Sequence, residues 1–299
     1  MKADLYDRIT QQIVAELEKG VLPWLKPWNA EHSAGRITRP LRGNGIPYQG
    51  INVLTLWMAA TANGYAAPIW MTFKQALDLG AAVRKGEHGS QVVYTDKLTR
   101  TRTDIQTGEE TEFEIPYMKA YTVFNAEQVE GLPAHYYSQP PQRAEPLQRI
   151  AQADAFFAAT GARIEDGGNQ PCYISSLDLI RIPALEFFQD AESYYATLAH
   201  EATHWTKHEK RLARDFGRKR FGDEGHAMEE LVAELGAAFL CADIDLTPEL
   251  RSDHASYIHS WIKALKEDKR AIFTAAAHAQ KAIEFLHRLQ PTSRTAEAA

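Results

Sequence analysis

The sequence has few cysteines and lacks the motifs of the common nucleotide-dependent enzymes. Its 299 residues contain only Cys172 and Cys241, which are too few for a disulfide framework and wrongly spaced for a zinc site. We therefore expect both to be buried thiols. The chain also has no P-loop, no glycine-rich dinucleotide-binding fingerprint, no serine-centred nucleophile motif and no internal repeat.

Long apolar runs are missing as well. No stretch reaches the roughly 18 apolar residues that a membrane-spanning helix needs. The first ten residues are charged and amphipathic, without the apolar segment of a secretion signal. We expect a cytoplasmic protein with no membrane partner.

The charge of the chain is unevenly distributed. The net charge is −6, but residues 1 to 100 contain twelve basic and eight acidic side chains, which leaves +4 in this part and −10 in the remainder. This asymmetry favours an anionic partner for the amino-terminal part alone.

The pattern with the clearest chemistry is His200-Glu201-Ala202-Thr203-His204. Apolar residues recur at helical spacing from 190 to 211, so both histidines lie on one helix face and can bind a single divalent ion, most plausibly Zn²⁺. Glu201 would then act as the general base for a metal-bound water. His208 would lie about 12 Å along the same helix from His200, too far to share the ion.

A third ligand is expected from a second helix, over residues 228 to 241. Its candidates are three glutamates. We choose Glu230 as the ligand, with Glu229 as the alternative, and we expect Glu234 to orient the second ring nitrogen of a histidine.

The amino-terminal part combines arginines with tryptophans. A helix is predicted over residues 3 to 19, and it is followed by a Gly/Pro-rich loop that contains Trp24 and Trp28. Guanidinium groups for phosphates and aromatic rings for bases are what binding of single-stranded DNA requires. Replacing an arginine of this loop by alanine should then weaken DNA binding without unfolding the protein. The predicted DNA contacts are Arg36, Arg39, Arg42, Asn44, Tyr48, Asn52, Arg84 and Lys85.

Further along, a strand over residues 91 to 97 is followed by a polar segment, residues 98 to 112, and by strands over residues 113 to 125. The polar segment is predicted to be a long, mobile hairpin tip. The whole chain is predicted to be an α+β protein of two domains, a DNA-binding domain at 1–132 and a mainly helical domain with a small β-sheet at 146–290. Residues 133–145 are rich in Pro, Gln and Ser and are predicted to be a linker, and residues 291–299 a disordered tail.

With these residues named, the chain resembles the ArdC-type antirestriction proteins of conjugative plasmids. The amino-terminal segment is similar to the single-stranded DNA-binding domain that this family shares with TraC-type plasmid primases, and the carboxy-terminal segment to a zincin-like metallopeptidase domain. Glu230, 26 residues after His204, stands where the second motif of gluzincin peptidases has an acidic residue. His226 departs from the family resemblance, because a tyrosine is expected at this position, in a Tyr-Ala-x-Glu-Glu segment. The motifs that carry the resemblance are Leu17-Glu18-Lys19-Gly20, Pro23-Trp24, Pro27-Trp28, Tyr48 to Asn52, Trp70 to Gln75, Val83 to Gly86, Asp178 to Pro183, His200 to Thr206, Arg211-Leu212 and Glu229 to Glu234.

The resemblance implies a protein that protects plasmid DNA arriving as a single strand during conjugation. One hypothesis is a DNA-targeted zinc peptidase that cleaves a host protein such as a restriction-system subunit. The alternative is a binding protein that occludes DNA and whose metal is structural. Glu201 favours the first hypothesis, because a structural site has no need of a base. A nuclease is disfavoured by the lack of an aspartate cluster for paired Mg²⁺.

Overall fold

The computed structural model describes residues 4–25, 38–103, 110–137, 146–217, 224–247 and 254–291. Helices and sheets are both present before residue 137, whereas the part after residue 146 is mainly helical with one small sheet. The predicted fold class is therefore confirmed. Within the described residues, no helix combines the length and the apolar character that crossing a bilayer requires.

The amino-terminal region is built on a four-stranded sheet. Its first helix is capped by Asp4, whose side chain accepts from the Tyr6 amide, and Gly20 with a φ of +74° lets the chain leave that helix. In the sheet the strand order is β1-β2-β5-β4, with β1 parallel to β2 and the other pairs antiparallel; β3 and β6 form a separate ladder. The elements are α1 (Leu5–Glu18), β1 (Leu41–Arg42), α2 (Ile51–Asn63), β2 (Ile69–Thr72), α3 (Phe73–Asp78), β3 (Ala82–Val83), β4 (Ser90–Thr103), β5 (Glu110–Asn125) and β6 (Val129–Glu130).

The hairpin of β4 and β5 differs from the sequence prediction. The ladder continues out to the pair Thr103↔Glu110, so most of the segment predicted to be a polar tip is strand, and residues 104–109 lie outside the described part. Threonines have high strand propensity, and Lys97 pairs with Glu114 across the strands at 2.5 Å. Cross-strand pairing thus extends strands whose polarity suggested a loop.

The carboxy-terminal region places helices around a three-stranded sheet of order β7-β9-β8. β7 is parallel and β8 antiparallel to β9. The strand β7 was not predicted from the sequence. The elements are α4 (Pro146–Ala159), β7 (Arg163–Asp166), β8 (Cys172–Ile174), β9 (Leu179–Ile182), α5 (Ala191–Trp205), α6 (Glu224–Ile244), α7 (His254–Glu267) and α8 (Ala271–Arg288).

One hydrophobic core joins the two regions. The fully buried Trp24 packs edge-on against Trp261 of α7 with ring centroids 5.6 Å apart, and Trp57 of α2 packs against Phe239 of α6 at 6.0 Å. The predicted linker is described only up to residue 137, where Tyr136 is buried; residues 138–145 and the tail beyond residue 291 lie outside the described part. The predicted domain boundaries stay a prediction.

Candidate metal centre

Helix α5 carries the histidine motif. Asp190 caps the helix by accepting a hydrogen bond of 2.7 Å from the Ser193 amide. The helix ends at Trp205, not near residue 211 as predicted, because the chain turns back and the Leu212 amide bonds to the Thr206 carbonyl. His208 therefore lies in a turn beyond the helix. The prediction that it continues the same helix face as His200 is wrong.

A glycine allows α5 and α6 to approach closely. A Cβ atom at Gly236 would lie 2.6 Å from the Thr203 side chain, so any larger residue would force the two helices apart. Because the helices touch here, the glutamates of α6 face the histidines of α5.

Three side chains converge at this contact, and their geometry fits a divalent ion. The Nε2 atoms of His200 and His204 lie 3.1 Å apart. Glu230 places Oε2 at 3.5 Å from His200 Nε2 and Oε1 at 3.4 Å from His204 Nε2. Three ligands at about 2.0–2.1 Å from one tetrahedral ion would be about 3.4 Å from each other. These three residues are the only cluster of potential ligands among the described residues.

The outer nitrogen of His204 is held by a buried ion pair. Its Nδ1 lies 2.9 Å from Glu229 Oε1. The same carboxylate accepts hydrogen bonds from Nε and Nη2 of Arg214, each at 2.8 Å. Burial alone would raise the pKa of Glu229, but the hydrogen bonds from Arg214 and His204 outweigh it and lower that pKa to about 2. Glu229 thus supports His204 at the nitrogen that faces away from the cluster, which favours Glu230 over Glu229 as the ligand; the choice stays a prediction.

The outer nitrogen of His200 meets Glu234, whose Oε1 lies 3.2 Å from Nδ1. Glu234 is one helical turn beyond Glu230 on α6, so one helix face supplies both the candidate ligand and the group behind the other histidine. Glu234 lies where the sequence places it, and its orienting role stays a prediction.

Glu201 is only 3% exposed and lies between the two histidines in α5. Cys172 at the edge strand β8 is half-buried, not fully buried as predicted, whereas Cys241 is buried. Burial raises the pKa of the Cys172 thiol, and the charge of Glu201 raises it further.

His226, where a tyrosine was expected, lies beside the candidate ligand. Its Nδ1 is 3.8 Å from Glu230 Oε1, and its Nε2 is 3.2 Å from the hydroxyl of Tyr257 on α7. A tyrosine hydroxyl thus reaches this side of the site from a different helix. The sequence offered no pattern that would have identified Tyr257.

Several predicted DNA contacts have structural roles. Arg39 is 5% exposed: Nε and Nη2 lie 2.8 and 2.9 Å from the carboxylate oxygens of Asp243, and Nη1 donates to Gln280 at 2.7 Å. The guanidinium also lies 5.0 Å from the centroid of the Phe239 ring. The prediction that Arg39 contacts DNA from a flexible loop is wrong, because this side chain fastens the amino-terminal region to α6 and α8.

Asn52 and Tyr48 are also engaged within the protein. The Asn52 side chain donates to the Val93 carbonyl at 2.8 Å and accepts from the Val93 amide at 2.7 Å, which satisfies the outer edge of β4. Tyr48 is 7% exposed. Trp24, predicted to help bind bases, is fully buried. None of these three side chains presents a free surface to DNA.

The other predicted contacts lie at the surface or outside the described residues. Arg42 is exposed and lies 5.5 Å over the Tyr48 ring, and Asn44 is exposed. Arg84 is ion-paired with Glu87 at 2.7 Å, while Lys85 is exposed. Arg36 and Trp28 lie outside the described part of the chain.

Comparison with known proteins agrees with both regions of this architecture. Residues 3–124 match the N-terminal domain of anti-restriction factor ArdC, and residues 151–278 match a zincin-like metallopeptidase family. The metal-free crystal structure of the antirestriction protein ArdC from plasmid R388 is 46% identical, with a TM-score of 0.79, over 96% of this chain and 98% of that chain. This chain belongs to the ArdC family. The resemblance inferred from the sequence motifs is thereby confirmed.

Other relatives of this ArdC-family chain extend the comparison. An Mn(II)-bound crystal structure of the R388 protein is 43% identical, also with a TM-score of 0.79. The uncharacterised protein y4eC of Sinorhizobium fredii is 42% identical over 98% of this chain and 95% of its own length. Two DNA primases TraC of Escherichia coli are 38% and 35% identical over 96% and 95% of this chain, which spans only 27% and 20% of their lengths. The similarity to TraC thus continues through the zincin-like region, further than the amino-terminal segment expected from the motifs.

Besides Tyr257, two residues of the ArdC-family site were not identified from the sequence. Arg214, in the segment between α5 and α6, has no neighbouring pattern that would single it out. Gly236 did carry a signal, since glycine is unfavourable inside a helix and usually marks a close contact there.

Proposed function

We propose that this chain is an antirestriction protein that binds single-stranded DNA through its amino-terminal region, residues 1–132, and acts as a zinc-dependent peptidase through residues 146–290. Its membership of the ArdC family supports the antirestriction role. The observation that carries the peptidase assignment is the convergence of His200, His204 and Glu230 beside the buried Glu201. Host proteins such as subunits of restriction systems are the proposed substrates.

In this proposal, the ligands are His200, His204 and Glu230. Two imidazoles and one carboxylate are a donor set typical of catalytic zinc, and they leave a coordination position open. A bound ion would supply Lewis acidity, which lowers the pKa of a coordinated water and polarises a substrate carbonyl. Glu229 and Glu234 lie at the Nδ1 atoms of the two histidines, so that both Nε2 atoms would be available to a bound ion.

Glu201 is the proposed general base. Its carboxylate would take a proton from the attacking water and then pass that proton to the leaving nitrogen of the peptide. Within the described residues β8 ends its sheet, so its outer edge could pair with an extended substrate segment. Helix α5, which carries Glu201, packs against β8, so this edge lies beside the candidate metal centre.

The test of catalysis is Glu201→Gln in the full-length protein. Glutamine preserves the shape but cannot accept the proton, so peptide cleavage should fall by about 10²- to 10⁴-fold, while metal content and DNA affinity stay unchanged. Glu209→Gln is the matched control, because Glu209 is an exposed carboxylate shortly beyond the same helix. The readouts are cleavage of host proteins and protection of incoming DNA in a restricting recipient. If Glu201→Gln protects as well as wild type, protection does not require proteolysis, and occlusion of DNA becomes the better account.

The test of the ligand set is metal occupancy by elemental analysis of protein purified without chelator. His204→Ala and Glu230→Gln should lose the ion, whereas Glu234→Gln should retain part of it. A wild-type protein without metal would contradict the assignment, and Mn or another ion in place of Zn would correct its identity.

A further inference from the structure

The hairpin of β4 and β5 extends from the sheet as a two-stranded ribbon. β5 pairs with β2 only at Val123, Phe124 and Asn125, whereas its ladder with β4 continues for fourteen residue pairs out to Thr103↔Glu110. At the base, Asn52 of α2 covers the outer edge of β4 at Val93. Beyond this base, within the described residues, each strand has only the other as a hydrogen-bonded strand neighbour, and Met118, on the face opposite Tyr117, packs against the core.

The register of the ladder separates two faces of the ribbon. Directly paired residues lie on the same face, and the face alternates along each strand. The pairs Val92↔Tyr121, Tyr94↔Lys119 and Asp96↔Tyr117 therefore bring three tyrosines together. We call this the tyrosine face, and its described exposed or half-buried members are Tyr94, Asp96, Arg100, Ile115, Tyr117, Lys119 and Tyr121.

The rings of the tyrosine face are held in place but remain accessible. Tyr94 and Tyr121 are 47% and 45% exposed, and their ring centroids lie 6.3 Å apart at 77°. Asp96 Oδ2 accepts hydrogen bonds from the hydroxyls of Tyr94 at 2.9 Å and Tyr117 at 3.4 Å. Lys119 Nζ lies 5.1 Å from the Tyr117 ring centroid. Exposed rings that are already ordered would lose little conformational entropy when a ligand stacks on them.

The charges of the two faces differ in sign. Among the described side chains of the tyrosine face, the cations Lys119 and Arg100 outnumber the single carboxylate of Asp96. On the opposite face, Lys97 is paired with Glu114, and Glu112 adds a second carboxylate. A polyanion would therefore be attracted to the face that carries the rings and repelled from the other.

We propose that the tyrosine face is the surface that binds single-stranded nucleic acid, with unpaired bases stacking on Tyr94, Tyr117 and Tyr121 and phosphates contacting Lys119 and Arg100. Aromatic side chains beside cations are the combination that holds single strands without sequence preference, and stacking requires bases that are not already in a duplex. The proposal rests on the single-stranded DNA binding proposed above. It moves the main contacts from the arginine loop, where Arg39 is buried, to the hairpin.

The test is the affinity of the full-length protein for a labelled thymidine oligonucleotide, measured by fluorescence anisotropy over a range of salt concentrations. Tyr94→Ala and Tyr121→Ala should each weaken binding by about tenfold, with little change in salt dependence, because a stacked base is lost. Tyr121→Phe should restore most of the affinity, since it keeps the ring. A duplex of the same length should bind more weakly than the single strand.

The cation of the tyrosine face has a matched control on the same ribbon. Lys119→Ala should reduce the slope of log affinity against log salt by about 0.7, as expected for one phosphate contact to a single strand. Lys97→Ala removes a lysine that is also exposed, but on the opposite face, and should leave the slope unchanged. Phe73→Ala removes an exposed ring outside the hairpin and should not alter the affinity.

The outcomes separate the two proposals. If the wild-type protein does not bind the oligonucleotide, the proposed DNA binding fails and the tyrosine face fails with it. If the wild type binds but the tyrosine and Lys119 variants behave like Lys97→Ala, DNA binding stands and the tyrosine face is wrong. Tighter binding of the duplex would overturn the stacking of unpaired bases.

Discussion

Arg39 should contribute to stability and not to DNA binding, and Arg39→Ala tests this directly. The side chain is 5% exposed; Nη2 donates to Asp243, Nη1 donates to Gln280, and Nε lies 2.8 Å from the other Asp243 oxygen in the same ion pair. Removing one partner of a buried ion pair typically costs about 3–5 kcal/mol, because the other charge is left without compensation. Asp243 keeps His287 Nε2 at 2.9 Å and is 20% exposed, so we expect about 3 kcal/mol, the lower end of that range.

The assay is urea unfolding followed by tryptophan fluorescence, with metal held at one fixed concentration because a ligand of the native state would shift the midpoint. Arg42→Ala is the matched control. Arg42 is an exposed arginine three residues away whose described contact is the Tyr48 ring, so its loss should cost about 0.5 kcal/mol. In a double-mutant cycle, Arg39→Ala together with Asp243→Ala should cost less than the sum of the two single changes.

The opposite pattern would refute the reasoning. If Arg39→Ala unfolds at the same urea concentration as wild type but loses oligonucleotide affinity, then the guanidinium serves DNA and the buried pair with Asp243 does not form in solution. The single-strand affinity of Arg39→Ala is therefore measured under conditions where the variant is folded.

The remaining predictions concern the site, the acid stability and the hairpin. Glu234→Gln should weaken metal affinity by about 10- to 100-fold without unfolding the protein, because it alters the support behind His200, and chelator competition measures this; unchanged affinity would remove Glu234 from the site. The bonds from Arg211 and Tyr173 lower the pKa of Asp178 to about 2, so its stabilisation is present above the unfolded pKa of about 3.9 and is lost as the pH falls towards 2. After allowance for solvent screening this amounts to about 1 kcal/mol, and Asp178→Asn should flatten the acid limb of stability against pH; an unaltered acid limb would argue against the pair. Asn52→Ala should speed amide exchange at the β4 edge and cost about 1–3 kcal/mol, because two hydrogen bonds to one backbone residue are lost; slow exchange in the variant would contradict that role.

Elements with strong local patterns were predictable. The helix α1 follows from apolar spacing and a glycine stop, and the capping of α3 by Thr72 follows from its sequence, where Thr72 and Gln75 form a capping box. The facing of His200 and His204 is also local, because residues four apart on a helix share a face. Such features depend on a few neighbouring residues, and the sequence contains all of them.

The identity of the third metal-site residue depended on a contact between two helices. Three glutamates on α6 were compatible with the sequence, and a rotation of one helix by about 100°, the step between adjacent residues, exchanges Glu229 for Glu230. Two contacts decide how α6 is rotated about its axis: the close approach of Gly236 to α5, and the hydrogen bond that Arg214 donates to Glu229. Arg214 is brought to α6 by a turn that has no regular pattern, so its role was not accessible from the sequence.

The prediction that Arg39 of the amino-terminal loop binds DNA was wrong for a related reason. An arginine in a Gly/Pro-rich segment is usually solvated, and nothing near Arg39 in the sequence indicates that Asp243, 204 residues away, will cover it. The prediction of a loop over residues 98 to 112 was wrong in a similar way. Threonines that alternate with charged residues can indicate either a loop or a two-stranded ribbon exposed on both faces. In both cases the structure is decided by pairing with another part of the chain, Asp243 for Arg39 and the partner strand for each strand of the hairpin.

The position of Arg39 also shows that the amino-terminal and carboxy-terminal regions depend on each other for their packing. The segments that match separate families, residues 3–124 and 151–278, meet in one hydrophobic core through Trp24 and Trp261. Cutting the chain between them would expose these tryptophans and leave the guanidinium of Arg39 without Asp243. A loss of DNA binding in an isolated segment would therefore report the loss of a shared core as readily as the loss of a binding surface. Point substitutions in the full-length chain, on the exposed ribbon for DNA and at Glu201 for catalysis, are the changes that separate the two proposed activities without dividing the core on which both regions depend.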